Sequence, residues 1–199
     1  MSQQQMSVRQ AVIERRSIKN FNGAPVSRDD VMEVLADSRF APNHGKREPW
    51  RFIVGAGNNL PDVQRLIREY AIPNWRDLTE EALERQSSKF TSAGAIVFAI
   101  VREDMRQKQR IEDHMAIAAF LQNAQLLAWD KGIGTCIKTP AWLDQPDFRE
   151  ALGAGDGERV ISMLHFGHSD TMPKPWDHTP IEEKVTFYSA PESADDTSK

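Results

Sequence analysis

The run Ala95-Ile96-Val97-Phe98-Ala99-Ile100-Val101 is apolar without interruption. Its length and β-branched residues suit a strand, and a strand apolar at every position must be covered on both faces. The rest of the chain supplies covers. Ile111 to Lys131 reads as a long central helix, apolar on several sides at Met115, Ala118, Ala119, Phe120, Leu126 and Leu127. Such a helix is buried, in part by a second subunit, and Gly132 ends it. Ser7 to Arg16 is a helix capped by Ser7, with Val8, Ala11, Val12 and the stem of Arg15 on one face. Ser27 caps another, with Asp29 and Asp30 in its first turn and Val31, Val34 and Leu35 as its apolar stripe. It stops near Phe40, because Pro42 disfavours helical geometry in the residue before it. Pro61 to Tyr70, the more polar Leu78 to Ser88, and Pro146 to Leu152 ahead of Gly153 complete the helices. Further strands fall at Arg51 to Ala56, Gly134 to Lys138 and Arg159 to Phe166, with a terminal strand at Val185 to Tyr188.

Helices and strands mix without regular βαβ alternation. An α+β fold follows, a sheet covered by helices on both faces rather than a doubly wound one. At 199 residues the chain suits a single domain over 7–189. Residues 1–6 read as a flexible N-terminus. Pro173, Pro175 and Pro180 imply an extended arm, and Ala190 to Lys199 a disordered acidic tail. The formal net charge of -4 argues against general nucleic-acid binding. A single cysteine, Cys136, cannot close an intramolecular disulfide, and the expected compartment is the cytoplasm. The longest apolar stretch, Met115 to Trp129, is broken by Gln122, Asn123 and Gln125, too polar to span a bilayer.

The chemistry concentrates in two segments. Glu14-Arg15-Arg16-Ser17-Ile18-Lys19-Asn20-Phe21 places three cations and a hydroxyl directly after a helix. Taken alone, it reads as a solvated basic helix end, where the helix dipole favours cations. The second segment is Ala41-Pro42-Asn43-His44-Gly45-Lys46-Arg47-Glu48-Pro49-Trp50, leading into the strand Arg51-Phe52-Ile53-Val54.

The order and spacing of these two segments resemble the nitroreductase family, closest to compact members whose loop reads Ala-Pro-Asp/Asn-His. The resemblance runs from Val8 to about Tyr188. It implies a three-layer fold with a mixed, mainly antiparallel sheet, whose C-terminal arm reaches a partner subunit. It implies a homodimer holding FMN at the subunit interface, with NAD(P)H as co-substrate. FMN needs cations and hydroxyls for its phosphate, flat or apolar packing for its ring, and a cation where reduction places negative charge. By resemblance, Arg15, Arg16 and Ser17 bind the phosphate and ribityl chain, with Lys19 near the phosphate or ring edge. Asn43 and His44 belong to the loop that covers the flavin from the partner, and Phe40 and Glu48 are further cofactor-binding candidates. Ile137, Lys138 and Thr139 reach the flavin after the short strand, Lys138 as its electrostatic support. Gly167 and His168 fall in the turn before the arm.

One position departs from the family. Many members carry Asn-x-Gln-Pro-Trp where this chain has Lys46-Arg47-Glu48-Pro49-Trp50. An amide can donate to a flavin carbonyl and an ionised Glu cannot. Either Glu48 turns away to pair with Arg47 or Lys46, or it tunes the site. Other readings are weaker. Gly132-Ile133-Gly134 follows a helix rather than a strand, so it is not a dinucleotide fingerprint. Cys136 reads as a small buried hydrophobe. His165 with His168, or Asp113 with His114, makes no convincing metal set. The expected activity is ping-pong hydride transfer from NAD(P)H to a nitroaromatic, quinone or enone. Alternatives are reductive dehalogenation or oxygen-dependent flavin chemistry under a lid at Tyr70 to Thr91, and a non-catalytic flavin-binding module.

Overall fold

The computed structural model describes residues 6–189. The expected disordered tail lies outside them, as do the first five of the six residues expected to be flexible.

Among the described residues six α-helices and four strands follow one another: α1 (Val8–Glu14), α2 (Arg28–Ser38), β1 (Trp50–Ala56), α3 (Leu60–Ala71), α4 (Glu80–Thr91), β2 (Ala95–Arg102), α5 (Gln107–Asp130), β3 (Gly134–Lys138), α6 (Pro146–Leu152) and β4 (Glu158–Gly167). The sheet order is β1-β2-β4-β3, and every neighbouring pair is antiparallel. An isolated parallel bridge from Ser17 to Thr135 makes the sheet mixed. The fully apolar run is the strand next to the centre, and alternate residues face opposite covers. Ala95, Val97, Ala99 and Val101 meet α2 and α5 through Val31, Val34, Leu35, Ile117, Phe120, Leu121 and Ala124. Ile96, Phe98 and Ile100 meet α3, α6 and the turn Ala141–Asp144 through Ile67, Phe148, Leu152, Trp142 and Leu143. The three-layer α+β arrangement thus follows from a strand with no polar side.

Local chemistry sets the ends. Ser7, Ser27 and Thr79 each accept from the backbone N–H three residues on, at 3.2, 3.0 and 3.3 Å. Gly153 closes α6 in the left-handed conformation. Among the described residues no helix is long and apolar enough to cross a membrane.

Three expectations need correction. Helix α1 stops at Glu14 rather than Arg16, because the chain must extend there to run beside β3. Of its expected apolar face only Ala11 is buried, and Val8 and Val12 stand in solvent. Val185 to Tyr188 forms no strand: the prolines carry the arm away from this chain's own sheet, and its Phe187 and Tyr188 are fully exposed.

Candidate functional site

The segment after α1 is laid along β3. Ser17 bridges Thr135, the Ile18 N–H donates to the Thr135 carbonyl at 2.9 Å, and the Asn22 N–H donates to the His168 carbonyl at 2.9 Å. Two glycines paired in register, Gly134 and Gly167, make the approach feasible. A Cβ on Gly134 would lie 2.6 Å from Ile18 Cγ1, and one on Gly167 would lie 2.6 Å from Phe21 Cδ1. Gly167 therefore leaves room for the Phe21 ring. His168 follows it and lines a cleft of about 330 Å³ with Ile18, Trp129, Gly134 and Met172.

This docking gathers charge. The half-buried Arg15 guanidinium donates to Gln125 Oε1 on α5 at 3.2 Å and to Ser17 Oγ at 3.5 Å. Burial lowers its pKa, and the adjacent Arg16 lowers it further. Lys138, at the end of β3, donates to the Lys89 carbonyl at 2.6 Å and lies 5.8 Å from the Phe90 ring centre. Burial likewise lowers its pKa, with Lys19 and Lys89 adding to the effect and Cys136 opposing it. Arg16 turns the other way: its Nη1 donates to the carbonyls of Ile13, Glu14 and Arg15 at 2.8, 2.8 and 2.9 Å, closing the C-terminus of α1. Lys19 is exposed beside the group. None of these four cations is paired with a carboxylate among the described residues. Ile137 presents an apolar side chain to solvent, and Thr139 is exposed next to Lys138.

Beneath this surface lie polar groups that sequence reading did not assign to the site. Thr135 Oγ1 and both ring nitrogens of His165 are buried without a hydrogen-bond partner. Cys136, buried as expected, sits directly opposite His165 in the β3–β4 register. Burial, and then Lys138, lowers the His165 pKa to about 3, so the imidazole is neutral. Gln125 was visible only as an interruption in an apolar helix. A polar residue at a core-facing position implies a partner, and the partner is Arg15.

The second sequence segment lies elsewhere. Asn43 braces its loop internally: its amide donates to the Ala41 carbonyl at 3.4 Å, and Oδ1 accepts from the Glu48 N–H at 3.1 Å. Arg47 forks onto buried Asp113 of α5, at 3.1 Å from Nε and 2.8 Å from Nη2, and reaches Glu112 at 3.2 Å. Arg47 is thus engaged away from Glu48, and Glu48 forms no ion pair among the described residues. Phe40 and His44 are exposed. Asp113 and Gln125 sit twelve residues apart on continuous α5, so the two halves are separated by roughly 18 Å. Arg15, Ser17, Lys19 and Lys138 lie along β3 in one chain, with Ile137 between them, while Thr139 lines a separate cleft with His114 of α5. Phe40, Asn43, His44 and Glu48 do not join them.

Partly desolvated cations without counter-ions are costly unless an anion meets them. A phosphate-bearing group such as FMN fits this donor set: one guanidinium fork, a hydroxyl, and two lysines. The profile of the nitroreductase family matches residues 12–168. YfhC of Bacillus subtilis (strain 168), which carries an NAD(P)H nitroreductase name, is 31% identical over 90% of this chain and 93% of its own. A nitroreductase-like family protein from Bacillus cereus superposes with a TM-score of 0.80 at 34% identity, over 93% of this chain and 97% of that one. The FMN- and NADPH-dependent nitroreductase NfnB from Sphigopyxis sp. strain HMH shares the fold at 19% identity, TM-score 0.74, over 93% of this chain and 100% of its own. With sheet order, basic segment and overall sequence in agreement, the chain belongs to the nitroreductase family.

Proposed function

We propose that the chain is an FMN-dependent oxidoreductase that takes hydride from NAD(P)H and delivers it to an oxidised acceptor such as a nitroaromatic, quinone or enone. One observation carries the reading: Arg15, Lys19 and Lys138 lie around Ser17 and β3 with no carboxylate paired to them among the described residues. The dependence on FMN and NADPH in the name of NfnB supports the cofactor choice. When bound, FMN supplies the redox chemistry, accepting hydride in one half of a ping-pong cycle and releasing it in the other. The chain supplies the rest. Arg15, oriented by Gln125, offers a fork to the phosphate with the Ser17 hydroxyl beside it. Lys138, braced by the Lys89 carbonyl, offers positive charge that favours the reduced cofactor. Ile137 offers an apolar face that excludes water.

We further propose that two copies assemble to complete the site. The loop at residues 40–48 is held at the far end of α5 from Arg15 and cannot reach it within one chain. Val8, Val12 and Ile13 of α1 and Ile111 and Met115 of α5 are exposed apolar side chains, a surface suited to a second copy. Antiparallel pairing of two α5 helices would set each loop over the other chain's cations. The exposed Trp176, Phe187 and Tyr188 give the arm its own apolar contacts for the partner. The lone buried thiol of Cys136 suits the cytoplasm.

The test is an anaerobic titration of the purified protein with NADH and with NADPH while flavin absorbance is followed. Bleaching by at least one nicotinamide, with colour restored by an added quinone or nitroaromatic, is expected. Bound FMN that neither nicotinamide bleaches would mark a flavin-binding module without turnover.

A further inference from the structure

We infer that Glu48 is the counter-charge of the flavin site, delivered by the second copy of the chain, and that it holds the potential of the bound flavin down. This rests on the FMN reading and on the pairing of two copies proposed above.

The loop commits its structure to presenting this carboxylate. Glu48 adopts φ 47° and Lys46 φ 53°, left-handed conformations that a residue with a Cβ adopts at a cost. Such strain persists only where the surroundings hold it. Here the Asn43 carboxamide accepts from the Glu48 N–H, and the Arg47 fork ties the adjacent residue to Asp113 and Glu112. The same fork removes the nearest cation that could have neutralised Glu48. Lys46, two residues away, forms no ion pair with it among the described residues. A rigid loop thus holds an exposed, unpaired carboxylate outward.

The opposite surface has the complementary deficit. Arg15, Arg16, Lys19 and Lys138 carry four positive charges, none paired with a carboxylate among the described residues. The phosphate of a bound flavin offsets part of that charge and leaves an excess near Lys138. Within one chain Arg47 holds the loop at Asp113 while Arg15 meets Gln125, roughly 18 Å away along α5, so Glu48 and the Arg15 group meet between copies. A carboxylate placed there opposes the negative charge that reduction adds and weakens the support given by Lys138. An amide at this position would do neither.

The experiment is a spectroelectrochemical titration of bound FMN in wild type, Glu48→Gln and Glu48→Asp. Glu48→Gln is expected to tighten reduced FMN relative to oxidised FMN at least tenfold, an upward shift of about 30 mV for a two-electron couple. Glu48→Asp, which keeps the charge, should shift less. An unchanged or lower potential in Glu48→Gln overturns the inference. A heterodimer carrying Glu48→Gln on one chain and Arg15→Ala on the other separates cis from trans. Its remaining FMN sits with the intact Arg15, on the Glu48→Gln chain. A wild-type potential there supports delivery by the partner, and the Glu48→Gln potential overturns it. Arg15→Ala alone is the control: if it leaves FMN affinity intact, the flavin reading falls and this inference with it. If Arg15→Ala weakens FMN while Glu48→Gln moves nothing, only the role of Glu48 fails.

Discussion

Arg15 and Arg16 are neighbours with opposite directions. One enters the site against Gln125, and the other closes the end of α1. Replacing Arg15 with Ala should weaken FMN binding by tenfold to a hundredfold, since a hydrogen bond to a charged group contributes about 1.5–3 kcal/mol. Arg16→Ala should cost FMN affinity less, which fluorescence titration of both variants would show. His165 gives a second expectation. Its folded pKa of about 3 lies below the ordinary 6.5 of imidazole, so between those values the unfolded chain binds a proton that the folded chain refuses. That contribution is harmless above about pH 6.5 and destabilises as pH falls, by up to about 1.4 kcal/mol per unit. Urea unfolding from pH 7 to pH 4 should show a shallower loss in His165→Leu than in wild type. The basic cluster Arg15 to Lys19 was legible in the sequence as a local signal after a helix, whereas Lys138 was proposed from family resemblance. The direction of Arg16 and the burial of His165 were not legible, since both depend on neighbours distant in the chain.

At the scale of elements, the apolar run of β2 dictated two covers, and hydrophobic period located most helices and strands to within a few residues. The misses share a cause. Helix α1 ends early, and 185–188 stays out of the sheet, because each segment answers to a packing partner rather than to its own propensity. The stretch Ser17 to Asn22 binds β3 through Thr135 and the residue after β4, His168, and no period of two or 3.6 announces that contact. The paired glycines are its trace. Gly167→Ala would drive a methyl into Phe21 and lift this segment from the sheet. A loss of about 1–3 kcal/mol is expected, seen as a lower Tm, together with weaker FMN binding. An unchanged Tm would mean that the segment is not held over the glycine pair.

On the proposed pairing, each copy holds half of a site at either end of one helix. A cation set without its loop and a loop without its cations account together for the exposed apolar residues of α1 and α5. Sedimentation velocity should give a dimer, and Met115→Glu should shift it toward monomer with loss of FMN. Family resemblance suggested this pairing from the sequence, and the length of α5 between Asp113 and Gln125 is the feature that motivates the proposal. The most direct test of the account is the dissociation constant for FMN of the wild type against the double variant Arg15→Ala, Lys138→Ala. Loss of affinity by a hundredfold or more, with the fold intact by circular dichroism, is the predicted result. Equal affinity in the two proteins would contradict it.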